Sequence, residues 1–283
     1  MGARDGLGAM PLYVNLHRIY NELAEAGVAA GAPLTPEQLF PFDQIHYHGT
    51  DAVTHAAETL QLTSESRVLE IGSGLGGPAR FLAHTVGCHV TALDIQDEMH
   101  TIASDLTRRA GLAGTVTHVL GDALSYPFPD PSFDAVVSWL AIHHIPDRPR
   151  LLERLRQALR PGGWLYVEDL YARAPFKGDD VADVKHVLYG VTMTGVEEYQ
   201  REVNAAGFTV VEMSEMSGPW GAFCAERAAA WKAAADRHVR VHGIETYATL
   251  EGFFTTVQRL FERGSLGGLR LLAQVPKETK TTE

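Results

Sequence analysis

A nearly bare turn between an apolar strand and a helix constrains the fold of this chain more than any other feature. The stretch RVLEIGSGLGGPARFLA has glycines at positions 72, 74, 76 and 77. Gly72, Gly74 and Gly77 satisfy the G-x-G-x-x-G pattern, in which missing Cβ atoms let the backbone approach a ligand. The pattern predicts a strand–turn–helix unit that binds a dinucleotide or another adenosyl ligand. The alternative is a tight turn that serves only close packing of the helix.

Strands and helices alternate after this turn. The apolar runs RVLEIG, HVTALDI, VTHVLGD, FDAVVSWL and WLYVEDLY predict strands, with helical patterns between them. Nearly continuous apolar strands are typical of a parallel sheet that helices cover on both faces. We therefore predict an α/β fold with a Rossmann-like, doubly wound, mostly parallel seven-stranded sheet. The runs FTVVEMSEM and LRLLAQVPK would supply its last strands.

The other segments predict additions to this sheet. Residues 1–60 are expected to form an N-terminal helical lid segment. Residues 61–283 are expected to form the main domain, with a helical insertion around 218–263 that acts as a partial lid. The insertion is expected to be a pair of helices, which could also make a homodimer contact. The RPGG stretch at 160–163 predicts a turn into the fifth strand.

Composition limits the partners. The formal net charge is −11, which repels phosphate backbones, so we expect no nucleic-acid partner. Apolar runs do not approach the roughly 20 residues that a membrane helix needs, so no membrane association is expected. The two cysteines, Cys88 and Cys224, indicate no disulfide framework. With no apolar signal segment near the start, a cytoplasmic location is expected.

Acidic residues stand at the ends of successive predicted strands. Asp94 ends the second strand and Asp122 the third, while Glu70 precedes the glycines. Carboxyl ends of parallel strands meet at one crevice, where Asp94 would accept the hydroxyls of a ribose and Asp122 would reach an adenine. A carboxylate at Glu70 would repel a pyrophosphate but would tolerate an ammonium or a sulfonium. Taken singly, each acid could be only a strand-end cap.

Several motifs together resemble a known family. VLEIGSGLGG, ALDI, GDAL, FDAVVSWLAIHHI and LRPGGWLYVED resemble the successive motifs of class I S-adenosylmethionine-dependent methyltransferases, over about residues 65–172. PFDQIHYHGTDAV and GLGGPAR are similar to the group that contains sarcosine/dimethylglycine N-methyltransferases and related small-molecule methyltransferases. The resemblance implies S-adenosyl-L-methionine as the cofactor and a small molecule as the substrate.

The resemblance also implies a cofactor site. Gly72 and Gly74 would pass under the methionine part and the ribose, and Asp94 would hold the ribose hydroxyls. Asp122 would meet the adenine, and Tyr47 would close over the methionine end. The complete set of implied cofactor residues is Glu70, Gly72, Gly74, Asp94, Ile95, Gln96, Asp122, Ala123, Leu140 and Tyr47.

The acceptor side is predicted from residues that can take a proton. An amine acceptor must be deprotonated, and a histidine titrates near neutral pH. The histidines of QIHYHG and LAIHHIP are expected near the crevice; each could equally be a hydrogen-bonded loop residue. The candidate catalytic residues are His144, His143, Tyr47 and His48, with His46 as a further base. The H-x-H spacing lacks further ligands, so no metal site is predicted.

Aromatic side chains near the crevice give a second indication. Tyr47, Trp139, Tyr189 and Trp220 could hold a cationic methylated amine, or they could be ordinary core residues. The leading hypothesis is N-methylation of an amine or amino acid. An O- or C-methyltransferase of a natural product stays open. An NAD-dependent oxidoreductase and a non-catalytic cofactor-binding scaffold are the alternatives from other classes.

Overall fold

The computed structural model describes residues 8–128 and 131–277. Its strands form one sheet in the order β3-β2-β1-β4-β5-β7-β6. The strands are β1 Arg67–Ile71, β2 His89–Asp94, β3 Val116–Leu120, β4 Phe133–Trp139, β5 Leu159–Ala172, β6 Thr209–Glu215 and β7 Leu266–Gln274. The pairs among β1 to β5 are parallel, and β7 runs antiparallel between β5 and β6. The predicted Rossmann-like, mostly parallel seven-stranded sheet is confirmed.

The strand order reverses at the middle of the sheet. β1 pairs with β2 on one side and with β4 on the other, so the loops that follow β1 and β4 leave in different directions. A crevice opens at such a switch point, at the carboxyl end of the strands. The glycine turn follows β1 directly, so the fold places this turn at the crevice.

Helices cover the sheet and its carboxyl edge. They are α1 Arg18–Glu25, α2 Pro36–Asp43, α3 Gly49–Thr59, α4 Gly77–Thr85, α5 Asp97–Arg109, α6 Arg148–Ala158, α7 Asp179–His186, α8 Val196–Ala205, α9 Ser217–Ala233, α10 Ala235–His242 and α11 Ile244–Glu262. Local sequence signals determine where several of these helices begin. Before α2, the side chain of Gln38 accepts from the N–H of Thr35 at 2.9 Å, and Pro36 takes the first helical position. None of the described helices is both long and apolar enough to cross a membrane.

The insertion differs from the expected pair of helices. It forms α9, α10 and α11, because the chain breaks at Ala234 and again at Gly243, where φ is +86°. Trp220 of α9 packs on β7 so closely that a Cβ added to Gly268 would lie 2.0 Å from its ring. The division into residues 1–60 and 61–283 stays a prediction.

Two sets of ion pairs connect α1 with α10. Arg237 donates to Glu22, and Arg240 donates to Glu25 at 2.6 Å and 3.0 Å. Since α1 belongs to the N-terminal segment and α10 to the insertion, these ion pairs join the two parts of the chain.

The RPGG stretch does not form a turn that precedes the fifth strand. β5 begins at Leu159, which pairs with Phe133, whereas the next pair of the ladder joins Ala135 to Trp164. The residues in between form an irregularity within β5. A Cβ on Gly163 would lie 2.9 Å from the carbonyl oxygen of Arg160, so this bulge requires a glycine.

Candidate active site

A cavity of about 190 Å³ lies at the carboxyl ends of β1, β2 and β4, beneath the N-terminal segment and the insertion. Its wall contains every cofactor residue expected from the sequence, namely Glu70, Gly72, Gly74, Asp94, Ile95, Gln96, Asp122, Ala123, Leu140 and Tyr47. His46, His143 and His144 also line it. The N-terminal segment adds Met10, Leu12 and Tyr13, and the insertion adds Arg227 and Phe253.

The turn needs glycines chiefly because neighbouring atoms leave no room for side chains there. Gly72 has φ +70°, and an added Cβ would lie 2.2 Å from the Cβ of Ala141. At Gly77 an added Cβ would lie 2.4 Å from the carbonyl oxygen of Asp43. Gly74 lines the cavity, with φ +52°. Gly72 lines the cavity as well, so close packing and access to the cavity apply together in this turn.

Asp94 organises this turn as well as facing the cavity. Its Oδ2 accepts from the N–H of Gly74 at 2.7 Å, and its Oδ1 accepts from the N–H of Gln96 at 2.8 Å. Burial raises the pKa of Asp94, while these backbone hydrogen bonds act in the opposite direction. Each carboxylate oxygen has a second lone pair, so both remain able to accept from a ligand hydroxyl.

Asp122 and Leu140 occupy the neighbouring loops. Oδ1 of Asp122 accepts from the N–H of Leu124 at 2.9 Å, and its Oδ2 has no hydrogen-bond partner among the described residues. Leu140 directly follows β4 and has φ +54°. A branched residue in this left-handed region is strained, and such strain is concentrated at functional sites. Both residues line the cavity.

Glu70 is a buried acid without a full set of partners. Its side chain is 2% exposed, and Oε2 has no hydrogen-bond partner in the part of the chain that the structure describes. Burial raises the pKa of Glu70 to about 8, although Arg80 acts to lower it. The carboxyl is therefore protonated at neutral pH in this structure. A cation bound beside it would favour its ionised form.

His143 and Asp169 form a buried pair in the cavity wall. Nδ1 of His143 lies 2.6 Å from Oδ1 of Asp169, and Tyr199 donates its O–H to Oδ2 at 3.2 Å. An ionised carboxylate only accepts, so Nδ1 carries the hydrogen and Nε2 has a free lone pair. The carboxylate also stabilises a positive charge on the ring. His143 thus has the arrangement of a general base, with Asp169 as its positioning residue.

His144 and His46 are less suited to this role. Nδ1 of His144 donates to the carbonyl oxygen of Tyr189 at 3.0 Å, and burial, with His143 nearby, holds the pKa of His144 well below its ordinary value. The ring of His46 has a protein partner at each nitrogen, and burial lowers its pKa to about 4. Neither ring has a carboxylate that would stabilise it after it takes a proton.

Tyr47 and His48 differ in their placement. Tyr47 lines the cavity, but burial raises the pKa of its hydroxyl well above the ordinary value, so it stays neutral. Its ring packs against Trp220 at 5.2 Å. His48 does not line the cavity; its ring lies 4.8 Å from that of Phe223. The structure therefore does not place His48 in the cavity wall with the other candidates, because its ring packs against Phe223 of α9.

Only two of the four aromatic side chains that could hold a methylated amine line the cavity, and Tyr47 is one of them. Trp139 lines the cavity, whereas Tyr189 and Trp220 do not. Trp220 of α9 is fully buried against β7, as expected for an ordinary core residue. Tyr189 takes part through its backbone carbonyl, which accepts from His144.

Sequence reasoning missed Asp169 and Arg227. Asp169 lies within the apolar run WLYVEDLY, and a charged residue inside a buried strand is the signal that could have identified it. Arg227 lies in an alanine-rich helical stretch that gives no such signal. Only the packing of α9 over the cavity brings it to the site.

A group of potential metal ligands lies away from the cavity. Glu22, His238 and His242 bring one ligand-type atom each within 4.8 Å of the others. Glu22 already accepts from Arg237 and from Nε2 of His242 at 2.8 Å. A guanidinium bound to the only carboxylate of this group disfavours a metal cation there. The expectation of no metal site stays a prediction.

The strand order and the loops at its carboxyl edge define a Rossmann-like protein with a crevice for an adenosyl ligand. A family model described as a methyltransferase domain matches residues 69–167. A 27-O-demethylrifamycin SV methyltransferase from Amycolatopsis mediterranei (strain S699) is 31% identical over 226 residues, which are 78% of this chain and 81% of that protein. The chain belongs to the class I S-adenosylmethionine-dependent methyltransferases.

Other relatives differ in the molecules named for them. A glycine/sarcosine/dimethylglycine N-methyltransferase from Actinopolyspora halophila is 28% identical over 177 residues, which are 62% of this chain. The chain spans only 31% of the length of that relative. A solved structure of Haemonchus contortus phosphoethanolamine N-methyltransferase 2, with phosphomonomethylethanolamine and S-adenosylhomocysteine, has a TM-score of 0.83 at 20% identity. It covers 98% of this chain and 61% of its own, and at this identity it supports the fold.

The residues present fit the cofactor of this family. S-adenosylmethionine carries positive charges at its sulfonium and its ammonium, and the unpartnered Oε2 of the buried Glu70 provides an acid beside the glycine turn. Asp94 and Asp122 line the same cavity on the two loops that follow β2 and β3. A cation would stabilise the ionised form of Glu70, whereas a pyrophosphate would disfavour it, so these residues match an adenosyl cation better than a pyrophosphate.

Proposed function

We propose that this chain methylates a heteroatom of a small molecule that must lose a proton during the transfer, with a hydroxyl oxygen as the first candidate. The pair His143–Asp169 carries the proposal, because a buried general base held by a carboxylate is what such an acceptor needs. When bound, S-adenosylmethionine supplies an activated methyl group. The work left to the chain is alignment of the acceptor, exclusion of water and removal of one proton.

A hydroxyl depends on this base more than an amine does. An ammonium group of ordinary pKa can lose its proton to water before it binds, whereas an alcohol stays protonated until a base within the site removes the proton. Nε2 of His143 would take the proton, and Asp169 would stabilise the resulting imidazolium. The Amycolatopsis relative, of which this chain covers 81%, is named for a 27-O-demethyl compound, and this name supports an oxygen acceptor.

An amine or amino-acid nitrogen is the second candidate and was the first expectation from the sequence. The N-methyltransferase of Actinopolyspora supports it over 62% of this chain. The ring of Trp139 in the cavity wall would stabilise a methylated ammonium. Nitrogen and oxygen acceptors use the same base, and they differ in how strongly the rate depends on it.

The roles of the wall residues follow the same proposal. Asp94 would hold the ribose hydroxyls and Asp122 the adenine, while Glu70 would face the cationic end of the cofactor. Leu140 and His144, which follow β4, would border the reacting methyl group. Tyr47 would cover the methionine end with its neutral ring. A cytoplasmic location and a homodimer stay predictions.

Methyl transfer from isotopically labelled S-adenosylmethionine tests the proposal. The purified chain is incubated with matched panels of hydroxyl and amine compounds, and labelled products are identified by mass spectrometry. Label in hydroxyl compounds, lost in Asp169→Asn, is the expected result. Label only in amines would move the second candidate to first place. Cofactor binding with no label in either panel would favour the non-catalytic scaffold instead.

A further inference from the structure

Arg227 is the one arginine or lysine among the described residues that line the cavity. It lies on α9, lines the cavity, and places its guanidinium carbon 4.5 Å from the ring centre of Phe254. Within residues 8–128 and 131–277, no carboxylate lies within ion-pairing distance of it, and its side chain makes no hydrogen bond. Its nitrogens are thus held by an aromatic ring alone, next to open space.

Three other shielded arginines of this protein are paired with carboxylates. Arg80 is bound by Asp43 at 2.9 Å, Arg148 by Glu202, and Arg270 by Glu168 at 2.7 Å. In each case a carboxylate offsets the loss of hydration of the guanidinium. Arg227 lacks such a carboxylate, and it lines the ligand cavity.

The groups around Arg227 do not neutralise it. Tyr47 and Cys224 are its polar neighbours, and burial raises the pKa of Tyr47 well above the ordinary value and that of Cys224 to about 11, so both are uncharged. The other charged group in range is a second cation, Arg18. Burial and Arg227 together lower the pKa of Arg18 to about 10.

Arg18 has acceptors that Arg227 lacks. Its guanidinium donates to the carbonyl oxygens of Val14 at 2.7 Å and Leu12 at 3.0 Å. These bonds occupy some of its N–H donors without cancelling its charge. Arg227 therefore adds a positive charge to the cavity wall, and within residues 8–128 and 131–277 its N–H donors have no acceptor.

We propose that Arg227 binds an anionic group, a carboxylate or a phosphate, of a ligand in this cavity. A guanidinium keeps its charge in proteins and offers paired N–H donors that match two oxygens of one anion. The anion has two sources: the carboxylate at the methionine end of the cofactor, or an acidic group on the methyl acceptor. The second source rests on the proposed function, and it defines the acceptor as an acid.

Binding measurements on the whole chain distinguish the two sources without turnover. The first arm compares S-adenosylhomocysteine with its decarboxylated analogue by calorimetry, in the wild type and in Arg227→Met. If the cofactor supplies the anion, the wild type prefers the carboxylate form by at least about tenfold, and the variant loses this preference. Methionine retains the unbranched stem that packs beside Phe254.

The second arm saturates the protein with S-adenosylhomocysteine and then titrates inorganic phosphate and acetate. If the acceptor supplies the anion, these ions bind to the wild type, and Arg227→Met weakens them by at least about tenfold. Arg227→Lys, which keeps the charge, should restore part of this binding. Lys232→Met changes an exposed cation on the same helix and should leave both arms unchanged.

Thermal unfolding distinguishes an anion-binding role of Arg227 from a structural role of the same residue. An unpaired, shielded guanidinium does not stabilise the fold, so Arg227→Met should keep or raise the Tm of the ligand-free protein. No loss of carboxylate preference and no loss of anion binding in Arg227→Met would overturn the inference. If either arm gives the expected binding result but the chain transfers no methyl group, the proposed function is overturned and the inference about Arg227 stands.

Discussion

Nδ1 of His143 lies 2.6 Å from Oδ1 of Asp169, and the two side chains are 2% and 0% exposed. The carboxylate fixes the tautomer of the ring, so that the free lone pair is on Nε2. His143 lies in the loop after β4 and Asp169 within β5. Because these strands are parallel neighbours, the pair joins two adjacent positions at one edge of the sheet.

Asp169→Asn should remove the base without emptying the cofactor site. The amide can donate to Nδ1, which would move the ring hydrogen to Nε2 and abolish its lone pair. We expect kcat to fall by about 10²- to 10⁴-fold, with the affinity for S-adenosylhomocysteine unchanged. Steady-state kinetics and calorimetry measure the two effects. Tyr199→Phe, which removes one hydrogen bond to Asp169, should have a smaller effect, and an unchanged kcat in Asp169→Asn would contradict the assignment.

Glu70 should make the ligand-free protein less stable as the pH rises. Its pKa is about 8 in the folded protein against an ordinary 4.5, so between these values the folded state binds more protons than the unfolded state. By linkage, the free energy of unfolding then decreases across this window, by an amount on the order of a few kcal/mol, and the loss is complete above pH 8.

Glu70→Gln should flatten that part of the pH profile, because the amide does not ionise. Denaturant unfolding at a series of pH values between about 4.5 and 8 measures the slope. Glu65→Gln is the matched control, since Glu65 is exposed near the start of the same strand. A profile that Glu70→Gln leaves unchanged would show that the carboxyl is not held neutral by burial.

Asp94→Ala should weaken the binding of S-adenosylhomocysteine by more than about tenfold, since hydrogen bonds to a charged group are worth roughly 1.5–3 kcal/mol. The same change frees the N–H groups of Gly74 and Gln96, which Asp94 holds at 2.7 Å and 2.8 Å. Part of the loss therefore comes from a looser turn. Asp94→Asn separates the two effects because its amide oxygen keeps one of these bonds.

Calorimetry gives the affinities for the Asp94 variants, and thermal unfolding shows how much of the turn is lost. Asp97→Asn, an exposed acid in the first turn of α5, is the control and should bind normally. Full affinity in Asp94→Ala would exclude the ribose-binding role.

Gly72→Ala should destabilise the fold by more than the cost of holding an alanine in the left-handed backbone conformation. Its φ is +70°, and the new Cβ would lie 2.2 Å from the Cβ of Ala141. Gly27→Ala is a matched control with φ +82° and no atom within 4 Å of the added Cβ. The control should cost about 1–2 kcal/mol, the cost of the left-handed conformation, and Gly72→Ala distinctly more.

Denaturant unfolding of both variants measures the difference between the two glycines. Combining Gly72→Ala with Ala141→Gly should recover part of the loss, since it removes the atom that collides. Equal costs at the two positions would mean that the turn can move away from Ala141.

Much of the fold and of the cofactor wall could be predicted from the sequence. The apolar runs and the glycine turn gave the strand–helix alternation, and the resemblance added the positions on the loops after β1 to β4. Those residues follow strand ends directly, and parallel strands bring their carboxyl ends to one edge whatever the rest of the chain does. Asp94 and Asp122 reached the cavity for this reason.

Local pattern was a weaker guide to the lid and the acceptor side. QIHYHG contains three similar candidates in a row, and only the packing of α9 puts the ring of His48 on Phe223 while Tyr47 faces the cavity. Likewise His143 and His144 are neighbours in the chain, but one meets a carboxylate and the other a backbone carbonyl.

The sequence by itself determined the mostly parallel sheet, the position of the crevice and the acids along it, because each follows from a local pattern of apolar runs, glycines or strand-end residues. Only the tertiary structure decided that Asp169 holds His143, that packing keeps the glycines bare, and that Arg227 reaches the cavity unpaired. These relations join residues that are distant in sequence. They depend on burial and on the absence of a partner, and both are properties of the packed protein rather than of any segment.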